Sequence, residues 1–123
     1  MATLQIAHLS DLHILRDYNG SMLDRAPLRQ TVPPVNYVLA GIREAVAARP
    51  DVIVLAGDLV HEGTEEDYRY LREVIERERG GIPVIPVLGN HDFKQAFYRG
   101  YLGEERTGSY TARYELGGYR FLV

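Results

Sequence analysis

Three short groups of residues carry side chains suited to holding divalent cations and moving a proton: Asp11-Leu12-His13, Gly57-Asp58 and Gly89-Asn90-His91-Asp92. Asp11 and His13 offer a carboxylate and an imidazole at alternate positions, both ligands for an ion that prefers oxygen and nitrogen. Asp58 follows a glycine that lets the backbone turn sharply, and its two oxygens suit it to bridge two cations roughly 3.5–4 Å apart. Asn90 offers a neutral carbonyl oxygen to the second cation. His91 is a proton donor beside them, and Asp92 is placed to orient and charge it. Taken singly, aspartate and asparagine after strands are ordinary turn residues. Turn chemistry asks for no histidine in the first and third groups, so the three groups together favour a metal site.

Each group stands where a strand-like run stops. Leu4 to Leu9 breaks at Ser10-Asp11, the β-branched run Val52 to Leu55 ends at Gly57-Asp58, and Pro83 to Leu88 breaks at Gly89. Pro86 is the one blemish, since proline cannot donate to a ladder and belongs at edges or bulges. Between the first two runs, Val35, Val38, Leu39, Ile42, Ala45 and Val46 recur at three and four, predicting a helix to about Arg49 before Pro50. Between the second and third, Thr64 caps a helix whose stripe is Tyr68, Leu71, Val74 and Ile75, with Glu65/Arg69 and Glu73/Arg77 on the wet side and Gly80-Gly81 as the stop. Ser10 to about Thr31 shows no period and reads as a loop, a candidate lid. Alternating strands and helices imply a parallel sheet with right-handed crossovers, and ligands bind beyond the carboxyl ends of such strands. Asp11, His13, Asp58, Asn90 and His91 are therefore expected in one cleft. A short helical stretch from Asp92 to about Leu102 and a hairpin, Ser109–Leu116 with Tyr119–Val123 around Gly117-Gly118, complete the α/β order.

The 123 residues suit one domain, with 46% hydrophobic and 25% charged residues and a formal charge of -3. The absence of a dense Lys/Arg block argues against a duplex nucleic-acid partner, while a small nucleotide remains compatible. There is no cysteine, so any metal must be held by oxygen and nitrogen. No basic leader with a long apolar run and no stretch near the roughly 20 residues of a membrane span is present, which makes a cytoplasmic protein the expectation.

In these motifs the sequence resembles the calcineurin-like metallophosphoesterases, and the match runs through the whole chain in order and spacing. The wording His8-Leu-Ser-Asp-Leu-His13 and Pro86-Val-Leu-Gly-Asn-His-Asp92 is most similar to the branch of class III cyclic nucleotide and glycerophosphodiester phosphodiesterases. The resemblance implies two divalent ions, manganese, iron or zinc, with Asp11 and His13 on the first, Asp58 bridging and Asn90 on the second. It also implies that His91 protonates the leaving group with Asp92 behind it, on a small phosphoester such as a cyclic nucleotide or glycerophosphodiester attacked by a metal-activated hydroxide.

The sequence departs from the family pattern in two respects. The family's later histidine and Gly-His-x-His motif have no counterpart, because the histidines are His8, His13, His61 and His91. Residues 1–123 therefore read as the N-terminal portion of a metallophosphoesterase-type αββα sandwich, a parallel βαβαβ core followed by a hairpin. Such a chain is expected to hold its second cation weakly, turn over little and self-associate through an uncovered sheet face. The other departure is His61, where the phosphodiesterase branch commonly has Asp or Asn. It reads as a solvated loop residue, with substrate or metal contact as the alternative. His8 reads as a packed histidine supporting the site, Tyr98, Tyr101, Tyr110, Tyr114 and Tyr119 as packing residues, and Lys94 and Arg99 as surface charges. The rival functions are a non-catalytic module of the same fold and a phosphomonoesterase or pyrophosphatase of the same family. A dinucleotide-binding domain is disfavoured, since no Gly-x-Gly-x-x-Gly follows the first strand.

Overall fold

The β-branched run Val52–Ala56 (β2) forms the middle of a parallel three-stranded sheet because both of its edges find partners. β1 (Ile6–Ser10) pairs on one side with Ile6 opposite Val52, and β3 (Val84–Val87) on the other with Ile53 opposite Val84. The order β1-β2-β3 is the sheet expected from the alternation of strands and helices. The computed structural model describes residues 3–17 and 34–123. The lid reading of the loop to Thr31 falls mainly outside the described residues. Its opening part is no lid: Leu12, Ile14 and Leu15 are buried, and Ile14 bridges to Val60 in parallel.

Two helices cover one sheet face. α1 (Pro34–Ala47) inserts Val38 and Ile42, and α2 (Glu65–Glu78) inserts Tyr68, Leu71, Val74 and Ile75, against Ile53 and Leu55 of β2. Burying each large apolar side chain contributes about 1.5–3 kcal/mol, so this layer dominates the stability of the fold. α2 starts where Thr64 accepts a hydrogen bond from the Asp67 amide at 3.2 Å, behind an acidic first turn of Glu65, Glu66 and Asp67. The opposite face is open along β1, where Ile6, His8 and Ser10 are exposed. His8 is thus not the packed histidine expected from its place in a strand, because the period of two turns it away from the helices.

Pro86 is accommodated because β3 is an edge strand. The Val87 carbonyl accepts from Gly57 on the β2 side, so Pro86 faces outward, where its missing N–H costs nothing and its carbonyl accepts from the Tyr110 hydroxyl at 3.4 Å. After β3, α3 (Lys94–Phe97) continues as a π-helical turn over Tyr98–Leu102. Phe97 and Tyr98 are buried there, and Tyr101 and Tyr110 pack on the Phe97 ring at centroid distances of 5.3 and 4.9 Å. These tyrosines are packing residues, whereas Tyr119 is exposed. β4 (Arg113–Leu116) and β5 (Tyr119–Leu122) form the hairpin as a separate antiparallel sheet. Its turn, Gly117-Gly118, has φ of +59° and +82°, the signs a two-residue type I′ connection needs.

Candidate metal centre at the strand ends

Pairing does not stop where β1 and β2 end. The Asp11 amide donates to the Gly57 carbonyl at 3.1 Å, His13 to Asp58 at 2.9 Å, Ile14 to Leu59 at 3.1 Å, and His61 back to Ile14 at 3.2 Å. Leu12 and Ile14 alternate into the core, which leaves Asp11 exposed and His13 half-buried on the open side. Asp11, His13 and Asp58 have φ of +54°, +45° and +48°. That left-handed conformation costs an L-residue roughly 1–2 kcal/mol, and here the cost is met by the buried neighbours that clamp the segment. Of the non-glycine residues with positive φ in the described chain, only Arg49 lies elsewhere.

The third motif closes on the second through Gly89. A Cβ at this position would lie 2.4 Å from both the Asp58 amide nitrogen and its Oδ1, so only glycine lets the two strand ends approach this closely. Asp58 is buried, and its Oδ1 accepts from the His91 amide at 2.9 Å. His13 Nε2 faces the same carboxylate, 3.7 Å from Asp58 Oδ2 and 3.9 Å from Asp11 Oδ1. The Asn90 amide also points at Asp58: in one orientation its NH₂ donates to both carboxylate oxygens at 3.1 Å, and in the other its carbonyl oxygen faces them.

Asp92 does not stand behind His91. Its carboxylate accepts from the Gly89 amide at 2.8 Å, the Leu59 amide at 3.1 Å, the Val60 amide at 3.4 Å and the Tyr68 hydroxyl at 2.7 Å. Tyr68 in turn accepts from the Phe93 amide at 3.0 Å. Asp92 therefore latches the loop after β3 to the loop after β2 and to α2. Burial, and then the hydrogen bond to Asp92, hold the Tyr68 phenol far above the ordinary tyrosine range, so it stays a donor. The group that orients His91 is the His61 carbonyl, 2.9 Å from its Nδ1. Since a carbonyl only accepts, Nδ1 carries a hydrogen, and Nε2 is the ring nitrogen not engaged by that carbonyl.

His61 itself lies inside the cluster. Its ring centroid is 5.2 Å from that of His13 and 5.0 Å from that of His91, and the two Nδ1 atoms of His61 and His13 are 3.2 Å apart. Burial lowers its pKa, and the neighbouring His13 and His91 lower it further. The solvated reading of His61 is replaced by one of contact with two other imidazoles.

The model of the calcineurin-like phosphoesterase family matches residues 4–122. The chain belongs to that family. Among curated proteins it is similar to a "probable cyclic nucleotide phosphodiesterase" of Rhodococcus erythropolis, 32% identical over 121 residues, 96% of this chain and 38% of that protein. A protein of the same name from Synechococcus is 36% identical over 90 residues, covering 73% of this chain and 32% of its own length. The "glycerophosphodiester phosphodiesterase GpdQ" of Enterobacter lignolyticus is 36% identical over 92 residues, 75% of this chain and 31% of that protein. The chain thus spans about a third of the length of these relatives.

Calcineurin-like phosphoesterases use divalent metals, and the donors here fit such ions. Asp11, His13 and Asp58 each offer a ligand atom within 4.8 Å of the other two. With a cation between them, the Asn90 amide would turn its carbonyl oxygen toward Asp58 as a further oxygen donor. Oxygen and imidazole ligands without sulfur admit manganese, iron or zinc, with the carboxylates favouring the harder ions. No helix among the described residues is long and apolar enough to cross a membrane. Lys94 and Arg99 stay on the surface, Arg99 paired with Glu105 at 3.3 Å. The latch through Tyr68 leaves no mark in the sequence, because the residue's place in the α2 stripe identifies it as core and says nothing of where its hydroxyl reaches. His61 had a signal in its place in the loop that follows Asp58.

Proposed function

We propose that this chain carries the cation-holding and proton-donating groups of a phosphodiesterase, acting in a cytoplasmic setting on a small phosphodiester of the cyclic nucleotide or glycerophosphodiester class. The observation that supports it most is the convergence of Asp11, His13, Asp58, Asn90 and His91 at the carboxyl ends of three parallel strands. In this reading Asp11 and His13 would hold one cation and Asn90 a second, with Asp58 shared between them. Two such ions, when bound, would supply Lewis acidity toward the phosphoryl oxygens and lower the pKa of a water toward neutrality. The chain's own residues supply the remaining functions. Asp58, fixed by the His91 amide, sets the spacing of the donors. The His61 carbonyl holds Nδ1–H of His91, so that the doubly protonated ring can hand its Nε2 proton to the departing alkoxide and be left neutral with its hydrogen on Nδ1. The latch through Asp92 keeps both loops in register without entering the chemistry. The substrate class draws on the names of the relatives in the same family.

The test is hydrolysis of a cyclic nucleotide, a glycerophosphodiester and a phosphomonoester by the same preparation with Mn²⁺. Faster turnover of either diester than of the monoester supports the reading. A preference for the monoester contradicts the substrate class, and no Mn²⁺-dependent turnover of any of them contradicts catalysis by this chain.

A further inference from the structure

His13 presents its two ring nitrogens to two different environments. Nε2 faces the carboxylates of Asp58 and Asp11 at 3.7 and 3.9 Å, while Nδ1 faces His61 Nδ1 at 3.2 Å. His91 stands against both rings, with centroids 4.9 Å from His13 and 5.0 Å from His61, and the three residues each offer a ring nitrogen within 4.8 Å of the other two. Two imidazole nitrogens on a tetrahedral zinc ion are about 3.3 Å apart, given Zn–N bonds of roughly 2.0–2.1 Å. The His13–His61 edge already has that span, and His91 offers a third ring nitrogen within 4.8 Å of both.

We propose that His13, His61 and His91 form a second cation site, selective for a nitrogen-preferring ion of the zinc class and mutually exclusive with the oxygen-rich site of Asp11, His13 and Asp58. The exclusion follows from the chemistry of one ring. A neutral imidazole has a single lone pair and a single N–H, so an ion on His13 Nε2 places the hydrogen on Nδ1, where it donates to His61. An ion on Nδ1 reverses the tautomer, and Nε2–H then points at Asp58 and Asp11, the carboxylate partners that orient metal-bound histidines. The tautomer of His13 therefore selects which site is filled. Hard ions such as Mn²⁺ favour the carboxylates, whereas zinc-class ions favour three imidazoles. The binding claim does not depend on the hydrolytic reading. Where that reading also holds, an ion on the triad occupies His91 and inhibits turnover.

The experiment uses Co²⁺ as the spectroscopic stand-in for Zn²⁺, with the full chain, His61→Ala, His61→Asn and Asp11→Asn, each checked for folding by far-ultraviolet circular dichroism. Both His61 variants keep the backbone carbonyl that holds His91, and His61→Asn also keeps most of the side-chain volume. The chain should give the intense visible absorption of tetrahedral, nitrogen-rich Co²⁺, bleached by added Zn²⁺. The band should vanish in both His61 variants and persist at saturating Co²⁺ in Asp11→Asn. Loss of His61 should weaken Zn²⁺ binding by more than the roughly 10–100-fold that removal of an outer partner costs, while Mn²⁺ binding is retained. No intense band, a band that survives both His61 variants, or one lost with Asp11→Asn, overturns the proposal. Since every readout is binding, failure of the hydrolytic reading leaves this test intact.

Discussion

Removing the Asp92 carboxylate should unfasten the site from below. Four donors end on it: the amides of Gly89, Leu59 and Val60 and the hydroxyl of Tyr68. A hydrogen bond to a charged acceptor contributes about 1.5–3 kcal/mol, and a buried donor left without a partner costs about 1–3 kcal/mol. The donors share one carboxylate and Val60 is distant at 3.4 Å, so the costs do not add in full. Asp92→Ala should therefore destabilise the chain by about 3 kcal/mol, a large part of the roughly 5–15 kcal/mol of a typical domain. For a domain of this size that corresponds to a fall of roughly 10–15 °C in Tm. Urea denaturation followed by circular dichroism reads it as a lower midpoint at unchanged slope. Asp92→Asn should recover only part of the loss, since its NH₂ would face amide donors. A variant of near-normal stability whose pH–rate profile shifts would refute the latch and restore Asp92 as the partner of His91.

Tyr68→Phe deletes one of those donors and the acceptor for Phe93, and should cost about 1–2 kcal/mol. Combined with Asp92→Ala it should cost less than the sum, and strict additivity in the double-mutant cycle would show that the two are not coupled. Gly89→Ala places a methyl group 2.4 Å from the Asp58 backbone and carboxylate, so it should lower both stability, by roughly 1–3 kcal/mol, and divalent affinity, measured by calorimetric titration with Mn²⁺. Unchanged affinity would mean that the strand ends need not approach. His91→Ala should depress hydrolysis of diesters with alkoxide leaving groups far more than of those releasing nitrophenolate, which departs unprotonated. Equal losses would contradict its role as acid.

What the sequence made legible follows from where its signals are local. Apolar runs ended by Gly57-Asp58 and Gly89-Asn90 reveal both the strands and the points at which they stop, and strand-helix alternation then brings those ends together. Pro86 reads as a defect until the sheet order puts β3 at an edge, which is a non-local fact. Asp92 follows His91 in sequence, but adjacency does not decide which way a carboxylate turns. Here the amides of Gly89 and Leu59, left by two strands that have just ended, draw it away. His61 and His13 are 48 positions apart, and their encounter depends on the pairing that continues past both strands through Ile14 and Val60. His8 shows the converse: a histidine in a strand reads as packed only if its face is known, and β1 turns it outward.

The measurement that bears most directly on the central claim is Mn²⁺-dependent hydrolysis of bis(para-nitrophenyl) phosphate by the chain and by Asp58→Asn, with bound metal determined in the same samples. Asp58 is the carboxylate on which His91, His13 and Asn90 all converge. Turnover in the parent chain should be slow and rise with Mn²⁺, and Asp58→Asn should lose at least one bound metal together with nearly all of that turnover. Full metal content and near-normal turnover in Asp58→Asn, or hydrolysis indifferent to Mn²⁺ in the parent chain, would contradict it.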